Sequence, residues 1–380
     1  MVAVGLIAGL GKDQRTDSVA TQSPNSYAVR QQTDLNKNAV SSYSSAPTAS
    51  VWNLYSPNLR YFYNQLTYTE KCAFSAQYDA IALGRADLYN ISGFHLDSRQ
   101  RRRVDLVFSY DCPELLQSPM DLIISEYDTE FFRSHPGKMN RELDRIRTVV
   151  HQVRSRREYG SSDFQKQLAY DGYIKQNCSS KYAEFSGDKD VRTAYASLVN
   201  GSAICSGYAK GTELALRMLG VPCIFIDGTA QNSKERGPHA WNLVQIDGQW
   251  YQYDSMWNDS DMGYSDYYPY FNLTDDRISG NHQIKNDLAE YGFSLPRCTA
   301  TANNYYQKKG RYLGTHWAGD IPSILKSASR NGEREVGVMF SDRSSFHSAV
   351  QAIKGGNMRT DVRYSYFADE NVLMIYFILK

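Results

Sequence analysis

Charge of one sign is what this 380-residue chain most plainly lacks: 42 Lys and Arg stand against 41 Asp and Glu, a formal net charge of +1. Without a global field to draw in a polyanion, nucleic acid is not expected as a partner. Long hydrophobic runs are missing too. The apolar start MVAVGLIAGLG, residues 1–11, is too short to span a bilayer. No Cys or His spacing matches a zinc site, and no Walker or dinucleotide glycine loop occurs, so no metal or cofactor is expected. Solenoid repeats are absent as well. What remains is an ordinary globular composition, 42% hydrophobic and 22% charged, long enough for two or three domains. Tyrosine stands out with 29 copies, most of which core and interface packing explains.

Composition shifts mark the organisation. Residues 1–11 resemble the apolar part of a secretion signal, the stump of a membrane anchor, or a chance apolar start, because the usual basic flank is missing. The first two readings make the protein secreted or cell-surface anchored. From 12 to 50, Ser, Thr, Asn and Gln fill nearly half the positions, which predicts a disordered polar linker. Residues 51–185 read as a mainly helical N-terminal region. Thr67 and Glu70 form a capping-box signature before the segment from Tyr68 to Leu83, and Asn140 precedes Leu143, Ile146, Val149, Val150 and Val153 at helical spacing. Another helix starts at Asp163. Arg99, Arg101, Arg102 and Arg103 read as a solvated helix face, since no glycine loop or interleaved aromatic accompanies them. In 186–295 two short helices, Val191 to Val199 and Ser206 to Leu219, precede strand-like runs at Pro222 to Ile226, Ala240 to Ile246 and Gln249 to Tyr253. Residues 300–380 alternate helix and strand as a small α+β domain.

The chemistry-bearing residues lie in the 186–295 region. Cys205 heads the helical segment carrying Tyr208, Thr212, Ala215, Leu216 and Leu219 on one face. A thiol there meets unsatisfied N–H groups and the positive end of the helix dipole, which favours the thiolate. Asp247-Gly248 is a two-residue hairpin turn, and its register makes Trp241 face Asp254 and His239 face Met256. His239 and Asp254 are then diagonal neighbours on one sheet face, within reach of an imidazole–carboxylate hydrogen bond; a slip of one residue would separate them. Such an Asp holds the ring tautomer and leaves the other nitrogen to take the thiol proton.

These stretches resemble the transglutaminase-like superfamily, closely its bacterial secreted members. The resemblance rests on Ala194-Tyr195-Ala196-Ser197-Leu198-Val199, Gly201-Ser202-Ala203-Ile204-Cys205-Ser206-Gly207-Tyr208, Leu219-Gly220-Val221-Pro222-Cys223, His239-Ala240-Trp241-Asn242, Ile246-Asp247-Gly248-Gln249-Trp250-Tyr251, Asp254-Ser255-Met256-Trp257-Asn258-Asp259 and Tyr270-Phe271-Asn272-Leu273. The run Tyr110-Asp111-Cys112-Pro113-Glu114-Leu115 adds to it. It implies an α+β, papain-like core in which a helix bearing Cys packs against an antiparallel sheet. It also implies Cys205 as nucleophile, His239 as general base and acid, and Asp254 as the orienting carboxylate. The family forms a thioester from an amide and passes the acyl group to an amine or to water. By family position Tyr195 is a candidate oxyanion donor, and Ser255 stands where many members carry Val or Thr.

Trp241, Trp257 and Tyr208 are candidate cleft-wall residues that would shield a thioester from water. His282 reads as a cleft residue or a satisfied structural histidine. Asp259, Asp261, Asp266, Asp275 and Asp276 cluster without a calcium-loop spacing. Three functional classes follow: a cysteine acyltransferase or peptidase on peptide or protein amides, a non-catalytic surface binding module on the same fold, or an amidase on cell-wall peptide or glycopeptide. With Cys205 as nucleophile, Cys72, Cys112, Cys178, Cys223 and Cys298 allow at most two disulfides.

Overall fold

Helices come first and strands later in the computed structural model, which describes residues 43–116, 129–179, 189–231, 236–259, 264 and 266–380. The apolar start and the polar stretch up to Ser42 lie outside the described residues. Residues 43–50, expected as linker, include packed positions: the N–H groups of Thr48 and Ala49 donate to the Asp79 carboxylate at 2.9 Å, and Ala49 is buried. A polar composition reveals a shortage of core residues, but it hides backbone groups that satisfy a carboxylate elsewhere.

Helix α1, Tyr68–Leu83, starts at the predicted capping box, with the Thr67 side chain accepting from the Glu70 N–H. It ends at Gly84, whose φ of 71° is left-handed and where a Cβ would meet the Phe132 carbonyl oxygen at 2.4 Å. Helix α2, Ser98–Asp111, carries the basic cluster, which is not simply a solvated face. Arg103 pairs with Glu70 at 2.9 Å and donates to the Tyr291 and Gln65 carbonyls. Helix α3, Thr129–Arg154, begins well before Asn140 and runs through Pro136. The predicted stripe holds, with Leu143, Ile146, Val149, Val150 and Val153 buried. Helix α4, Asp163–Asn177, starts where expected.

Helix α5, Cys205–Met218, packs on an antiparallel sheet of β1 (Cys223–Gln231), β2 (Arg236–Ile246), β3 (Gln249–Tyr253) and β4 (His282–Ile284), in the order β3-β2-β1-β4. The β2–β3 hairpin has the predicted register, Asn242 opposite Tyr253 and Ile246 opposite Gln249, with positive φ at Asp247 and Gly248. Buried Asn242 fastens helix to sheet by donating to the Ala209 carbonyl at 3.0 Å and the Ile224 carbonyl at 3.3 Å. On its other side α5 meets the segment around the π-helix Ala196–Asn200. Two glycines one helical turn apart permit that approach. A Cβ on Gly207 would sit 2.4 Å from the Val191 carbonyl oxygen, and one on Gly211 would sit 2.1 Å from Ser197 Oγ.

The N-terminal helical region is joined to this core through a cluster of buried ion pairs, of which Arg217–Asp111 crosses between the two. Arg217 of α5 bonds Asp111 of α2 at 2.5 Å and Glu213 at 2.8 Å, while Arg60 bonds Glu114 at 2.7 Å, all with fully buried side chains. The C-terminal part carries its own sheet of β5 (Tyr312–Leu313), β6 (Glu335–Phe340), β7 (Tyr364–Asp369) and β8 (Met374–Leu379), in the order β5-β6-β8-β7. Helices α6 (Trp317–Arg330) and α7 (Arg343–Lys354) cover it, with Ile321, Leu325, Phe346 and Phe377 in its core. Arg277 ties this part to the rest by donating to the Phe340 and Val372 carbonyls at 2.8 Å. Residues 43–380 thus form one compact unit. The fold class is α+β, with a helical N-terminal region. Among the described residues no helix is long and apolar enough to cross a membrane. All six cysteines are free thiols.

Candidate active site

Cys205 is the first residue of α5 and is half-buried, whereas the other five cysteines are buried. Its approach is fixed by backbone bonds: the Ser179 N–H donates to the Gly201 carbonyl at 2.9 Å, and the Ile204 N–H to the Val191 carbonyl at 3.2 Å. Gly201, with φ 70°, turns the chain out of the π-helix towards the thiol.

His239 lies on β2 with Nε2 2.6 Å from Asp254 Oδ2, and its ring is near enough to the Cys205 side chain to interact with it electrostatically. With Nε2 held by the carboxylate, Nδ1 is the nitrogen left for sulfur. Burial alone pulls the imidazole pKa down, but Asp254 and Cys205 outweigh it and push the pKa up to about 10. Burial likewise acts to raise the Asp254 pKa; His239 and then His282 overcome it and hold the carboxyl well below the usual range.

Asp254 is not a ladder residue, which corrects the expected facing pairs. The β2–β3 ladder stops at Asn242 and Tyr253. Asp254 instead caps the helical turn Ser255–Asn258, accepting the Trp257 N–H on Oδ1 at 3.0 Å while its own N–H donates to the Tyr270 carbonyl at 3.1 Å. Ser255 connects the turn to α5, since its Oγ lies 2.9 Å from Thr212 Oγ1, which in turn meets the Tyr170 hydroxyl at 3.0 Å.

The other candidates fall into distinct places. Trp257 is half-buried and packs against His239 with ring centres 5.2 Å apart, a position on the wall of the site. Trp241 is only 1% exposed, stacks beside His239 and donates from Nε1 to Gln252 at 2.7 Å. Tyr208 is equally buried and donates to Asp259 at 2.8 Å. These two support the site from beneath and do not line an open wall, because each ring is enclosed and each polar tip has an internal partner. The half-buried Tyr195 hydroxyl accepts from Arg145 at 2.7 Å and retains its own proton to donate.

His282 is buried, with Nε2 3.2 Å from Asp254 Oδ2. Burial lowers its pKa despite the carboxylate. Its distance along the chain gave no local signal; only the pairing of β4 with β1, Ala230 opposite His282, brings it in. Ligand atoms of His239, Asp254 and His282 lie within 4.8 Å of one another, the one such group among the described residues. A metal there would need both Nε2 atoms deprotonated and would have to replace the hydrogen bonds that join them to Oδ2, against the raised pKa of His239. The acidic residues have separate duties: Asp266 bonds Tyr305 and Arg311, and Asp275 accepts the Cys298 N–H. Asp261 lies outside the described residues.

Residues 147–255 match the family model described as Transglutaminase-like superfamily, so the chain carries a transglutaminase-like domain there. The Kyphoscoliosis peptidases of Mus musculus and Homo sapiens are each 36% identical over 61 residues, 14% of this chain. The match spans only 9% of those proteins' length. Among solved structures, a TGase aligns at 18% identity and TM-score 0.27, covering 37% of this chain and 35% of its own. A Cytophaga hutchinsonii protein provisionally named a cysteine protease aligns at 16% identity and TM-score 0.26, covering 41% of this chain and 48% of its own. The family match supports an enzyme of the general thiol acyl-transfer or peptidase kind.

Proposed function

We propose that the protein is a cysteine acyl-transfer enzyme that acts on peptide or protein amides through a thioester on Cys205. The observation that carries this reading is the Asp254 carboxylate bonded at 2.6 Å to His239, whose imidazole interacts electrostatically with Cys205 at the start of α5. A binding module that merely retained the fold has no use for an imidazole held between a carboxylate and a thiol.

The Cys205 thiolate attacks the amide carbonyl carbon, forming the C–S bond while an electron pair moves onto oxygen. The first N–H groups of α5, which have no intrahelical partner, are suited to that oxyanion, with the Tyr195 O–H as a second donor. As the C–N bond breaks, the His239 imidazolium gives its Nδ1 proton to the leaving nitrogen. The neutral ring then takes a proton from water or an amine as that nucleophile bonds the acyl carbon and the C–S bond breaks, returning the thiolate. Because water competes with any amine, hydrolysis is at least as favoured as crosslinking. Secretion or surface anchoring, read from the apolar start, would bring extracellular or cell-wall peptides within reach.

The test is labelling by a thiol-reactive acyl probe, joined to a screen of peptides, muropeptides and amine donors read by mass spectrometry. Label on Cys205 that disappears in Cys205→Ala, with turnover of one substrate class, is the expected result. Label that persists in Cys205→Ala overturns the nucleophile assignment.

A further inference from the structure

Asp254 is a carboxylate with three donors around it. Oδ1 accepts the Trp257 N–H, while Oδ2 faces two imidazoles, His239 Nε2 at 2.6 Å and His282 Nε2 at 3.2 Å. Capping the turn and orienting His239 use one donor on each oxygen, so the His282 contact is additional to both duties. We propose that His282 is a positioning residue for the candidate triad: its Nε2–H holds Asp254 Oδ2 in the orientation that aims His239 at Cys205. This rests on the acyl-transfer reading above and names a fourth member of that site.

The ring is held as a reference point would need to be. Its Nδ1 lies 2.7 Å from the Asn281 side-chain amide, whose other end lies 2.6 Å from the Tyr270 hydroxyl; a neutral ring that donates from Nε2 accepts at Nδ1, so the amide serves it with its NH2 towards the ring and its oxygen accepting from Tyr270. The Tyr270 carbonyl in turn accepts the Asp254 N–H, so the contacts close a circuit through Asp254, Tyr270, Asn281 and His282. Ring centres of Trp241, Trp257 and Tyr270 stand 5.0, 4.5 and 5.3 Å from that of His282, edge-on or tilted, and restrict its rotation. The titratable groups facing it are Asp254, His239 and Tyr270. A side chain that only filled space here would need volume and no donor. Positioning needs the donor, because a carboxylate displaced by about 1 Å misaims the imidazole and costs on the order of 100-fold in rate.

Alkylation of Cys205 by iodoacetamide in the full chain, followed by mass spectrometry from about pH 5 to about pH 10, tests this without a substrate. His282→Leu keeps the volume and loses the donor, while His282→Gln returns an N–H to the same place. In folded protein, His282→Leu is expected to slow alkylation near pH 6 by about 10-fold and to move the pH midpoint up by about one unit, whereas His282→Gln recovers the wild-type rate to within about threefold. Should the leucine variant fail to fold, Asn281→Ala releases the other end of the ring at a half-buried position and is expected to shift the profile in the same direction. Wild-type profiles in the folded variants, or equal slowing by Leu and Gln, overturn the role of His282. Absence of selective Cys205 alkylation in the wild-type protein overturns the acyl-transfer reading instead.

Discussion

Two buried charge clusters lie along α5, one at its N-terminal cysteine and one around Arg217, and similar burial leads them to opposite uses. Around Arg217 the cations are guanidinium groups, which keep their protons at any accessible pH and fork onto fixed acceptors. Arg217 bonds Asp111, Glu213 and the Cys223 carbonyl, and Arg60 bonds Glu114 while lying 3.6 Å from the centre of the Trp52 ring. Such a cluster can hold the N-terminal helices to the core but cannot move a proton. Around Asp254 the cation is an imidazolium, and the half-buried thiol beside it opens the site to substrate. The choice between a clamp and a proton-transfer site is therefore made by the identity of the cation and by access at one end of the helix.

The largest effect that tests this contrast is on turnover. Asp254→Asn should lower kcat/KM for whichever amide the screen identifies by about 10,000-fold, because the ring loses its tautomer control, with the protein still folded by circular dichroism. Arg217→Met should do the reverse. It leaves Asp111 buried without its cation, Glu213 keeping Lys210 at 3.3 Å, and should cost about 3–5 kcal/mol in chemical denaturation, with turnover per folded molecule little changed. Loss of turnover at unchanged stability in Arg217→Met would erase the distinction between the clusters.

Local sequence signals carried the parts of the fold that depend on neighbours in the chain. The Thr67 cap, the Asp163 start and the Asp247-Gly248 turn lie where the structure has them, because a cap or a tight turn is written in two to four adjacent residues. The hairpin register brought His239 near Asp254, yet the end of the ladder before Asp254 was illegible, since the Asp254 N–H donates to Tyr270 in a later loop. Helix α3 was underread at its start because Pro136 normally ends a helix. Glu213 and Arg217 stand at the i,i+4 spacing of a helical ion pair, but Arg60, Asp111 and Glu114 carry no spacing rule, their partners being tens of residues away; only the resemblance of the run from Tyr110 to Leu115 touched that part of the cluster. His282 entered the site by strand pairing alone, which periodicity cannot register.

A smaller loss should follow from closing the gap that lets α5 approach the nucleophile loop. In Gly207→Ala the new methyl group would lie 2.4 Å from the Val191 carbonyl oxygen and 2.8 Å from Ala203 Cβ, so backbone must shift. The expected cost is about 1–3 kcal/mol by chemical denaturation. Because Ile204 hangs from that same carbonyl, slower Cys205 alkylation should accompany it. Full stability in this variant would mean that the loop yields easily and that the thiol is held by something other than this close contact.

The gentlest probe is pH. His239 has its folded pKa raised to about 10, above its ordinary value, so the pair with Asp254 adds stability that is fully present below about pH 6.5 and fades as pH rises towards 10. Asp254 is shifted the other way; its contribution is present above the ordinary carboxylate pKa and is lost as acid protonates it. Thermal melting of the wild-type protein should therefore fall by several degrees between neutral and strongly alkaline pH, relative to a His239→Gln variant that cannot titrate there. The Arg217 cluster contributes no slope across the same interval, since a guanidinium keeps its proton throughout. Parallel melting curves for wild type and His239→Gln would place the imidazole outside the carboxylate's influence and leave only the clamp as a charged element of stability.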